Sequence, residues 1–395
     1  MLDKLTQQPP DALLALIKLY NADPRASKID LGVGVYRTAD GATPVFRAIK
    51  AAEKRLVDGQ DTKAYLGPEG DMGFVNALMP HVFGDSLTAK LTEAGRIDGM
   101  QTPGGTGAVR LAVALAAKAG VKKIWMGTPS WPNHAQILAD CGMEVGTFNH
   151  AAENGSADMA ALRDVIASAD ANDAVLLHGA CHNPTGVDYT NEEWDEIAGL
   201  LKDSGTLPII DLAYQGLGDG MAEDAYGMRT LVSAVPEALV AYSCDKNFGL
   251  YRDRVGALYA IGGDADVVTR IMSNGSSLAR ANWSMPPDHG GAAVRVILED
   301  EDLTADWLAE VEDMRQRIGQ VRARLAANSN AGGVDLTPLG RQKGMFAMLP
   351  VSKEQVEQLR KDHGVYMAGS GRINVAGLTM GNIDAFVAAL ADVTG

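Results

Sequence analysis

The sequence predicts an α/β protein with a large domain built around a mainly parallel sheet, followed by a small α+β domain. Between about residues 100 and 265, strand-like apolar runs alternate with helix-like segments, which is the pattern of a parallel sheet covered by helices on both faces. This alternation stops after Gly263. A chain of 395 residues also exceeds the size at which one hydrophobic core stops growing, so we expect two domains.

The large domain contains five predicted strands and five predicted helices in alternation. The helices are predicted at Gly107–Ala119, Asn133–Asp140, Ala157–Ser168, Glu192–Leu201 and Ala225–Ala234. The strands are predicted at Lys123–Gly127, Glu144–Phe148, Ala174–His178, Leu207–Asp211 and Leu239–Ser243. Ligands of an open parallel sheet bind beyond the carboxyl ends of its strands, so the residues after each strand are the first place to look for a functional site.

The segments outside this alternation predict the remaining organisation. Helices are expected at Asp11–Tyr20, Ala265–Ser277, Gly290–Glu299, Thr304–Ala327, Lys353–His363 and Ile383–Val393, and strands at Met345–Leu349 and Arg372–Val375. The predicted domains are an N-terminal arm at 1–43 whose helix packs on the small domain, a large domain at 44–312 and the small domain at 313–395.

Composition excludes several classes of partner. With 50 acidic and 35 basic side chains, the formal charge is −15, which disfavours binding to nucleic acid or to an anionic membrane surface. No uncharged segment is long enough to span a bilayer, and the first residues do not have the pattern of a secretory signal. Three cysteines are too few for a disulfide framework, so we expect a reducing, cytoplasmic setting.

A glycine-rich segment, Thr102–Gly107, precedes the first predicted helix of the large domain. Glycines allow backbone amides to approach an anion closely, Thr106 adds a hydroxyl, and a helix N-terminus carries a partial positive charge. The segment is therefore a candidate phosphate site. An ordinary glycine-rich turn capped by threonine would have the same sequence.

Chemically distinctive side chains follow two strands of the predicted sheet. Lys246 lies after the Leu239–Ser243 strand, where it could form a Schiff base, and Ser243 and Arg254 could hold an anionic group of the same ligand. Asp211 ends the preceding strand and could keep a pyridine nitrogen protonated, and Tyr214 could donate to a ring hydroxyl. Individually, a solvated lysine, a turn cap and a packed tyrosine would explain these residues equally well.

The segment after the Ala174–His178 strand contains Cys181, His182 and Asn183. The Asn183 amide can both donate and accept hydrogen bonds, although Asn-Pro is also a common turn. His178 and His182 would lie about 13 Å apart along a strand, at ~3.3 Å per residue, so we expect no metal site here. Cys181 is expected to be a small buried apolar residue.

Two arginines outside the alternating region could bind carboxylates. Arg372 begins a predicted strand of the small domain, and Arg280 precedes Asn282 and Trp283. A guanidinium group binds a carboxylate through two hydrogen bonds, as the α-carboxylate of an amino acid requires. Either arginine alone could equally form a surface ion pair.

Together these segments resemble the class I pyridoxal-phosphate-dependent aminotransferases, in particular the aspartate and aromatic amino acid subgroup. The matching segments span nearly the whole chain in the family's order: Leu31–Tyr36, Ala64–Gly67, Gln101–Ala108, Ser130–His134, His182–Gly186, Lys246–Tyr251 and Gly371–Gly377. The resemblance implies the fold of type I pyridoxal-phosphate-dependent transferases.

The resemblance also implies how pyridoxal phosphate is held. Lys246 would bind the cofactor covalently and later move the substrate's α-proton, Asp211 would pair with the ring nitrogen, and Tyr214 would contact the ring hydroxyl. Further cofactor contacts are implied for Gly105, Thr106, Trp131, His134, Asn183, Ser243 and Arg254. Tyr65 would reach the phosphate of a partner subunit, which implies a homodimer.

The implied substrates are L-amino acids and 2-oxo acids. Arg372 would bind the α-carboxylate together with Asn183, Trp131 and the backbone of Gly34. Arg280 of the partner subunit would pair with a side-chain carboxylate. Details of the sequence look most like dual-specificity aromatic amino acid aminotransferases, which act on phenylalanine, tyrosine, tryptophan, aspartate and glutamate with 2-oxoglutarate. A narrow aspartate aminotransferase is the alternative.

The sequence departs from the family at three positions near these sites. Asp245 stands where serine usually precedes the lysine, and it is expected to point away from the cofactor because neighbouring residues of an extended chain face opposite sides. Trp283 and Met285 lie close to Arg280 and bear on the substrate range.

Other classes of protein fit the sequence less well. Lyases and decarboxylases share this scaffold, and the combination of Arg280, Arg372 and Tyr65 favours transamination over them. A hydrolase that uses Cys181 lacks a nucleophile elbow. A binding protein without chemistry would not need Lys246 and Asp211 together.

Overall fold

The computed structural model describes residues 2–7, 12–328 and 330–395. The chain forms two compact units. One consists of residues 44–316, and the other combines the described residues of 1–43 with those of 317–395. The boundary near residue 316 falls within a single helix, Glu301–Ala327.

The 44–316 unit contains a seven-stranded sheet. Its strands are β1 (Ile97–Pro103), β2 (Lys123–Thr128), β3 (Glu144–Asn149), β4 (Asp173–His178), β5 (Leu207–Leu212), β6 (Ala238–Ser243) and β7 (Val255–Ile261). They lie in the order β1-β7-β6-β5-β4-β2-β3. The strands from β2 to β6 pair in parallel, whereas β7 is antiparallel to both β6 and β1. This topology confirms the predicted mainly parallel sheet.

Helices surround this sheet. Those of the 44–316 unit lie at Arg47–Gly59, Met72–Phe83, Asp85–Glu93, Gly104–Ala119, Pro132–Asp140, Met159–Ser168, Asn191–Ser204, Tyr226–Ala234, Ala265–Asn282 and Asp288–Leu298. The sequence sets their ends: a Thr190–Glu193 capping box begins the Asn191–Ser204 helix, and Gly205, with a φ of 71°, follows it. The predicted elements of this unit are correct in type, and their ends lie within three residues of the prediction, except that the helix expected to end at Ser277 continues to Asn282. The helices Arg47–Gly59, Met72–Phe83 and Asp85–Glu93 are absent from the prediction.

The core of this unit forms where the Gly104–Ala119 helix packs on β6 and β7. Val109 and Ala112 of the helix and Ile124, Ile209 and Ala241 of the sheet are fully buried there. Because the helix is apolar on this face, burial fixes it against the sheet and so fixes the position of its first residues. Those residues are the glycine-rich segment of the predicted phosphate site.

The second unit combines short strand pairs with helices. Ile29–Asp30 pairs in parallel with Val365–Tyr366, while Phe346–Met348 is antiparallel to Arg372–Asn374. Asn330–Ala331 and Val334–Asp335 form a third pair. Its helices are Ala12–Ala22, Lys353–Gln358, which continues as a π-turn at Leu359–His363, and Ile383–Thr394, besides short 3-10 turns at Leu2–Lys4, Thr337–Gly340 and Val375–Gly377.

The core of the second unit is apolar. It includes Ile29, Leu325, Ile373 and Phe386. The N-terminal helix was predicted from Asp11, which lies outside the described residues. At the other end of this helix, the Tyr20 ring packs edge-on against Tyr366 at 5.3 Å between ring centroids.

Two strands of the seven-stranded sheet, β1 and β7, are absent from the sequence-based prediction, as are the short strands Ile29–Asp30, Asn330–Ala331, Val334–Asp335 and Val365–Tyr366. β1 contains a glycine and an aspartate and ends in proline, all of which are infrequent in strands. β7 is wholly apolar but follows a long turn, where the alternation of the sheet is interrupted. Among the described residues, no helix is both long enough and apolar enough to cross a membrane.

Candidate active site

A pocket opens at the carboxyl ends of the central strands of the 44–316 unit. We call it the strand-end pocket, and its lining residues are Gly105, Thr106, Trp131, His178, Asn183, Asp211, Ala213, Tyr214, Ser243, Asp245 and Lys246. The topology accounts for this grouping, because β4, β5 and β6 are adjacent and parallel, so that their ends meet at one edge of the sheet. Most of the residues expected to hold a cofactor are therefore brought together.

The glycine-rich segment forms one wall of this pocket. A Cβ atom on Gly105 would lie 2.7 Å from Cβ of Ser243, and Gly104 has a φ of 71°, which glycine adopts without strain. No other residue type fits here without displacing its neighbours. The first amides of the Gly104–Ala119 helix and the hydroxyls of Thr106 and Ser243 therefore form a set of hydrogen-bond donors suited to an anion. We call this set, with Gly104 and Gly105, the glycine cradle.

Asp211 lies in the pocket at the base of a hydrogen-bonded chain. Its Oδ2 atom is 2.9 Å from Nε2 of His134, whose Nδ1 atom is 2.9 Å from Oγ of Ser130. Ser130 Oγ also lies 3.2 Å from Nε2 of His178. Burial disfavours the ionised form of Asp211, but the His134 bond and the nearby charge of Lys246 outweigh it and lower the carboxyl pKa. The site thus presents a buried carboxylate.

Lys246 faces Asp211 and Tyr214 in the same pocket. Its Nζ atom lies 5.2 Å from the centroid of the Tyr214 ring. Burial lowers the pKa of Lys246, although the carboxylates of Asp245 and Asp211 oppose this shift. A lysine with a lowered pKa is more often an uncharged amine, which can act as a nucleophile and as a base.

Asn183 adds an acceptor to the pocket. Its Nδ2 atom donates to the Tyr214 hydroxyl at 3.3 Å. Its Oδ1 atom is buried and accepts no hydrogen bond from the described residues. Buried polar atoms are usually paired, so an unpaired acceptor on a pocket wall is suited to a ligand that donates a hydrogen bond.

The expectation that Asp245 points away from the site is wrong. Asp245 lines the pocket, is only 5% exposed at its side chain, and forms an ion pair through Oδ2 with Nη1 of Arg254. The expectation assumed an extended chain, but the strand ends at Ser243 and residues 245–248 form a turn. Alternation between two faces applies only within a strand, so it does not extend to this residue.

The expected separation of His178 and His182 is also wrong. Their ring centroids lie 4.3 Å apart, because β4 ends at His178 and the chain turns before His182. His182 in turn stacks on His150 at 3.5 Å. Burial lowers the pKa of His150 to about 4 and that of His178 to about 3, so these rings are uncharged. Cys181 is buried, as predicted.

Among the described residues, no group of three or more histidine, cysteine, aspartate or glutamate side chains is arranged to hold a metal ion. The three cysteines are free thiols.

Some predicted residues of the 44–316 unit lie outside the pocket lining. His134 contacts the pocket through Asp211, and Arg254 does so through Asp245. Tyr65 is 96% exposed. Arg280 is exposed at the end of the Ala265–Asn282 helix, where its Nη1 atom donates to Oγ of Ser284 at 2.8 Å.

Arg372 and Gly34 belong to the other unit and are neighbours within it. The Arg372 guanidinium lies 4.8 Å from the centroid of the Phe346 ring, and its Nη2 atom donates to the carbonyl of Gly32 at 3.1 Å. A Cβ atom on Gly34 would lie 2.8 Å from Cζ of the same Phe346 ring. The Gly34 backbone and Arg372 thus flank one aromatic ring.

Two polar residues of the site were missed from the sequence. Ser130 links His134 to His178. The sequence feature that could have indicated this is the position of Ser130 four residues before His134, at the start of a helix. His178 ends β4, and the sequence predicts no chemical role for it. No sequence pattern reveals that its ring faces His134, since this depends on how β4 lies beside β2 and β5.

Comparison with known proteins identifies the family. The family model for class I and II aminotransferases matches residues 26–390. The chain is 49% identical over 379 residues to tyrosine aminotransferase of Rhizobium meliloti, covering 96% of each chain. It is 43% identical to aspartate aminotransferase of Salmonella typhi, covering 97% of each.

A solved structure agrees with these similarities. Aromatic-amino-acid aminotransferase from Burkholderia pseudomallei, covalently bound to pyridoxal phosphate, is 33% identical, aligns over 100% of both chains and gives a TM-score of 0.95. The family resemblance stated from the sequence is thus confirmed. The chain belongs to the class I and II aminotransferases and is a pyridoxal-phosphate-dependent enzyme.

Proposed function

We propose that this enzyme transfers the α-amino group between aromatic or dicarboxylic L-amino acids and 2-oxo acids such as 2-oxoglutarate. The observation that carries the proposal is the strand-end pocket, where Lys246 and the buried carboxylate of Asp211 share one cavity with the glycine cradle. An amine, a carboxylate and an anion site at one sheet edge match the reactive carbonyl, the ring nitrogen and the phosphate of pyridoxal phosphate.

The chemistry of the pocket fits this cofactor. Gly105, Thr106 and Ser243, with Arg254, would hold the phosphate group, since they supply donors and a positive charge. Trp131 would pack against the ring. Asn183 and Tyr214 would contact the ring hydroxyl, a role supported by the unpaired Oδ1 of Asn183.

Asp211 and His134 would act on the ring nitrogen together. An ionised carboxylate stabilises a protonated nitrogen, and the Nε2 proton of His134 holds this carboxylate in place and favours its ionised form. When bound, pyridoxal phosphate withdraws electrons from the α-carbon of the substrate and so weakens the bond to the α-proton. The role of Asp211 is to keep that withdrawal strong.

Lys246 would move the proton. Its amine would accept the proton from the α-carbon of the substrate and then donate it to the cofactor. The amine must be uncharged to accept the proton. The lowered pKa of Lys246 supports this role. Tyr214 lies close to the lysine and would keep its Nζ atom oriented.

Substrate carboxylates would be bound by arginines. We assign the α-carboxylate to Arg372, with the backbone of Gly34 and with Asn183 and Trp131. Arg280, contributed by the partner subunit of a homodimer, would bind the side-chain carboxylate of aspartate, glutamate or 2-oxoglutarate.

Tyr65 of the partner would reach the cofactor phosphate. Tyr65, Val57 and Leu66 are large apolar side chains that are exposed in the single chain. Their exposure supports the proposal that a partner subunit covers this region.

Subunit complementation tests the shared sites. Lys246→Ala and Arg280→Ala are each expected to lose aspartate transamination. In an equal mixture after subunit exchange, half of the dimers are hybrids, and each hybrid has one site with both native residues. Activity is expected to return to about a quarter of the wild-type level. No recovery, with hybrid dimers demonstrated, would refute the contribution of Arg280 across subunits.

A visible absorption spectrum tests the assignment of the cofactor and of Lys246. Wild-type protein with pyridoxal phosphate is expected to be yellow, to lose its visible band when an amino acid is added, and to regain it with 2-oxoglutarate. The Lys246→Ala variant is the matched control, since it keeps the cradle and Asp211 but lacks the amine. A wild-type protein that does not take up the cofactor would overturn the proposal.

A narrow aspartate aminotransferase is the second candidate. The hydrogen bond of Arg280 to Ser284 favours it, because it holds the arginine in one orientation. Comparing kcat/KM for aspartate and phenylalanine with 2-oxoglutarate separates the two. A preference for aspartate above about 10³, or roughly 4 kcal/mol of discrimination, indicates the narrow enzyme.

We also propose a cytoplasmic location, supported by the three free cysteines and tested by cell fractionation.

A further inference from the structure

A carboxyl group lies where the cofactor phosphate is expected. Asp245 shares the lining of the strand-end pocket with Gly105, Thr106 and Ser243. A Cβ atom on Gly104 would lie 2.6 Å from Nη2 of Arg254 and 3.4 Å from Oδ2 of Asp245, so both side chains converge on the start of the Gly104–Ala119 helix. The carboxyl group of Asp245 therefore lies next to the glycine cradle.

The two carboxylate oxygens of Asp245 have different surroundings. Oδ2 forms the ion pair with Nη1 of Arg254, and this pairing uses the charge of the arginine assigned to the phosphate. Oδ1 is buried and accepts no hydrogen bond from the described residues. The side chain is only 5% exposed, so water does little to compensate for the unpaired oxygen.

This arrangement conflicts with binding of a phosphate in the same place. A phosphate monoester carries a charge of about −1.5 to −2 near pH 7, and its dianion offers only acceptor oxygens. An ionised Asp245 would oppose it twice, by direct repulsion and by neutralising Arg254. A protonated carboxyl group would instead donate a hydrogen bond through its O–H.

We propose that Asp245 takes up one proton from solvent when the cofactor phosphate binds, and that the resulting carboxylic acid donates to a phosphate oxygen. The Asp245–Arg254 ion pair is then replaced by an Arg254–phosphate pair, and the only covalent change is the O–H bond that the carboxyl group forms with the proton from solvent. This inference rests on the proposed assignment of the cradle to the phosphate. It makes Asp245 a phosphate-binding residue whose contribution depends on pH.

The groups around Asp245 are consistent with this role. Burial raises the pKa of Asp245, while Lys246, Arg254 and the backbone amide of Val255 favour its ionised form. Asp211 and Tyr214 line the same pocket as Asp245. The buried Cys244 thiol is also titratable, and because burial raises its pKa it adds no charge. Once a phosphate dianion engages Arg254, the stabilisation that this arginine gives the carboxylate is lost and protonation is favoured.

The consequence is a cofactor affinity that falls as pH rises. Because the complex holds one more proton than the separated partners, the dissociation constant increases up to tenfold for each pH unit once Asp245 is ionised in the free protein. The second phosphate pKa is about 6, so the phosphate itself contributes little above pH 7.5. The range from pH 7.5 to 9 therefore reports on the protein.

Pyridoxamine phosphate is the appropriate probe, because it has no aldehyde to react with Lys246. Its binding to wild type, Asp245→Asn and Asp245→Ser is measured by titration calorimetry at several pH values, in two phosphate-free buffers with different heats of ionisation. The difference between buffers gives the number of protons taken up. Asp245→Asn is the matched control, since it preserves the shape of the side chain and retains both Lys246 and Arg254. Thermal melting establishes that all three proteins are folded.

We expect wild type to take up about one proton more than Asp245→Asn on binding. We also expect both variants to bind the probe at least tenfold more tightly than wild type at pH 8.5. Tighter binding by the variants with equal proton uptake would overturn the inference, because Asp245 would then remain ionised. Equal affinity and equal uptake in all three proteins would also overturn it. Binding by none of them would refute the cofactor assignment itself.

Discussion

The carboxylate of Asp211 is expected to supply most of the electrostatic support for catalysis. Asp211→Asn preserves the shape of the side chain and an acceptor for His134 while removing the charge. At an effective dielectric constant of about 20, opposite charges about 3 Å apart attract by roughly 5 kcal/mol. Because 1.36 kcal/mol corresponds to a factor of ten in rate, the turnover number should fall about 10³- to 10⁴-fold.

The matched comparison for this prediction is His134→Gln. It disturbs the 2.9 Å bond to Asp211 but leaves the carboxylate in the pocket. A hydrogen bond to a charged group contributes about 1.5–3 kcal/mol, so we expect a loss of roughly 10- to 100-fold. The assay is the single-turnover rate with phenylalanine at saturating cofactor, which separates chemistry from cofactor loss. An Asp211→Asn rate within tenfold of wild type would refute the role assigned to the charge.

The remaining predictions concern the proton carrier, substrate choice and acid stability. Lys246→Ala should retain pyridoxal phosphate without covalent attachment while transamination falls by at least about 10³-fold, and borohydride reduction followed by mass spectrometry checks the attachment. Arg280→Ala should lower kcat/KM for aspartate by about 10- to 100-fold, as expected for loss of a charged contact, and change that for phenylalanine by less than about fivefold. His150, with a pKa lowered to about 4, contributes stability that is complete above pH 6.5 and is lost as pH falls towards 4. Between these pH values the free energy of unfolding should decrease on the order of 3 kcal/mol from this group, and urea titrations should show a smaller decrease in His150→Gln.

The sequence was sufficient for the type and order of most central elements and for most of the pocket. The prediction of the pocket succeeded because the carboxyl ends of parallel strands lie at the same edge of the sheet. A residue that follows such a strand must therefore lie at that edge. Asp211 and Lys246 could be located by that rule alone, and the glycine segment by its place before a helix.

Features that depend on turns and lateral packing could not be predicted in the same way. Asp245 and His182 each follow the end of a strand, where side chains no longer alternate, and both were placed incorrectly. β1 could not be predicted because its pairing with β7 is a long-range property, formed between residues about 150 positions apart in the chain. β7 also pairs with β6, but in the antiparallel direction, after a turn that interrupts the alternation of strands and helices.

Transfer of isotopic nitrogen tests the central claim most directly. The holoenzyme is incubated with ¹⁵N-labelled L-phenylalanine and unlabelled 2-oxoglutarate, and the products are measured by mass spectrometry. A transaminase of aromatic substrates should yield ¹⁵N-glutamate and phenylpyruvate in equal amounts, with no labelled ammonia. Release of labelled ammonia or of a decarboxylated amine in place of ¹⁵N-glutamate would contradict the account.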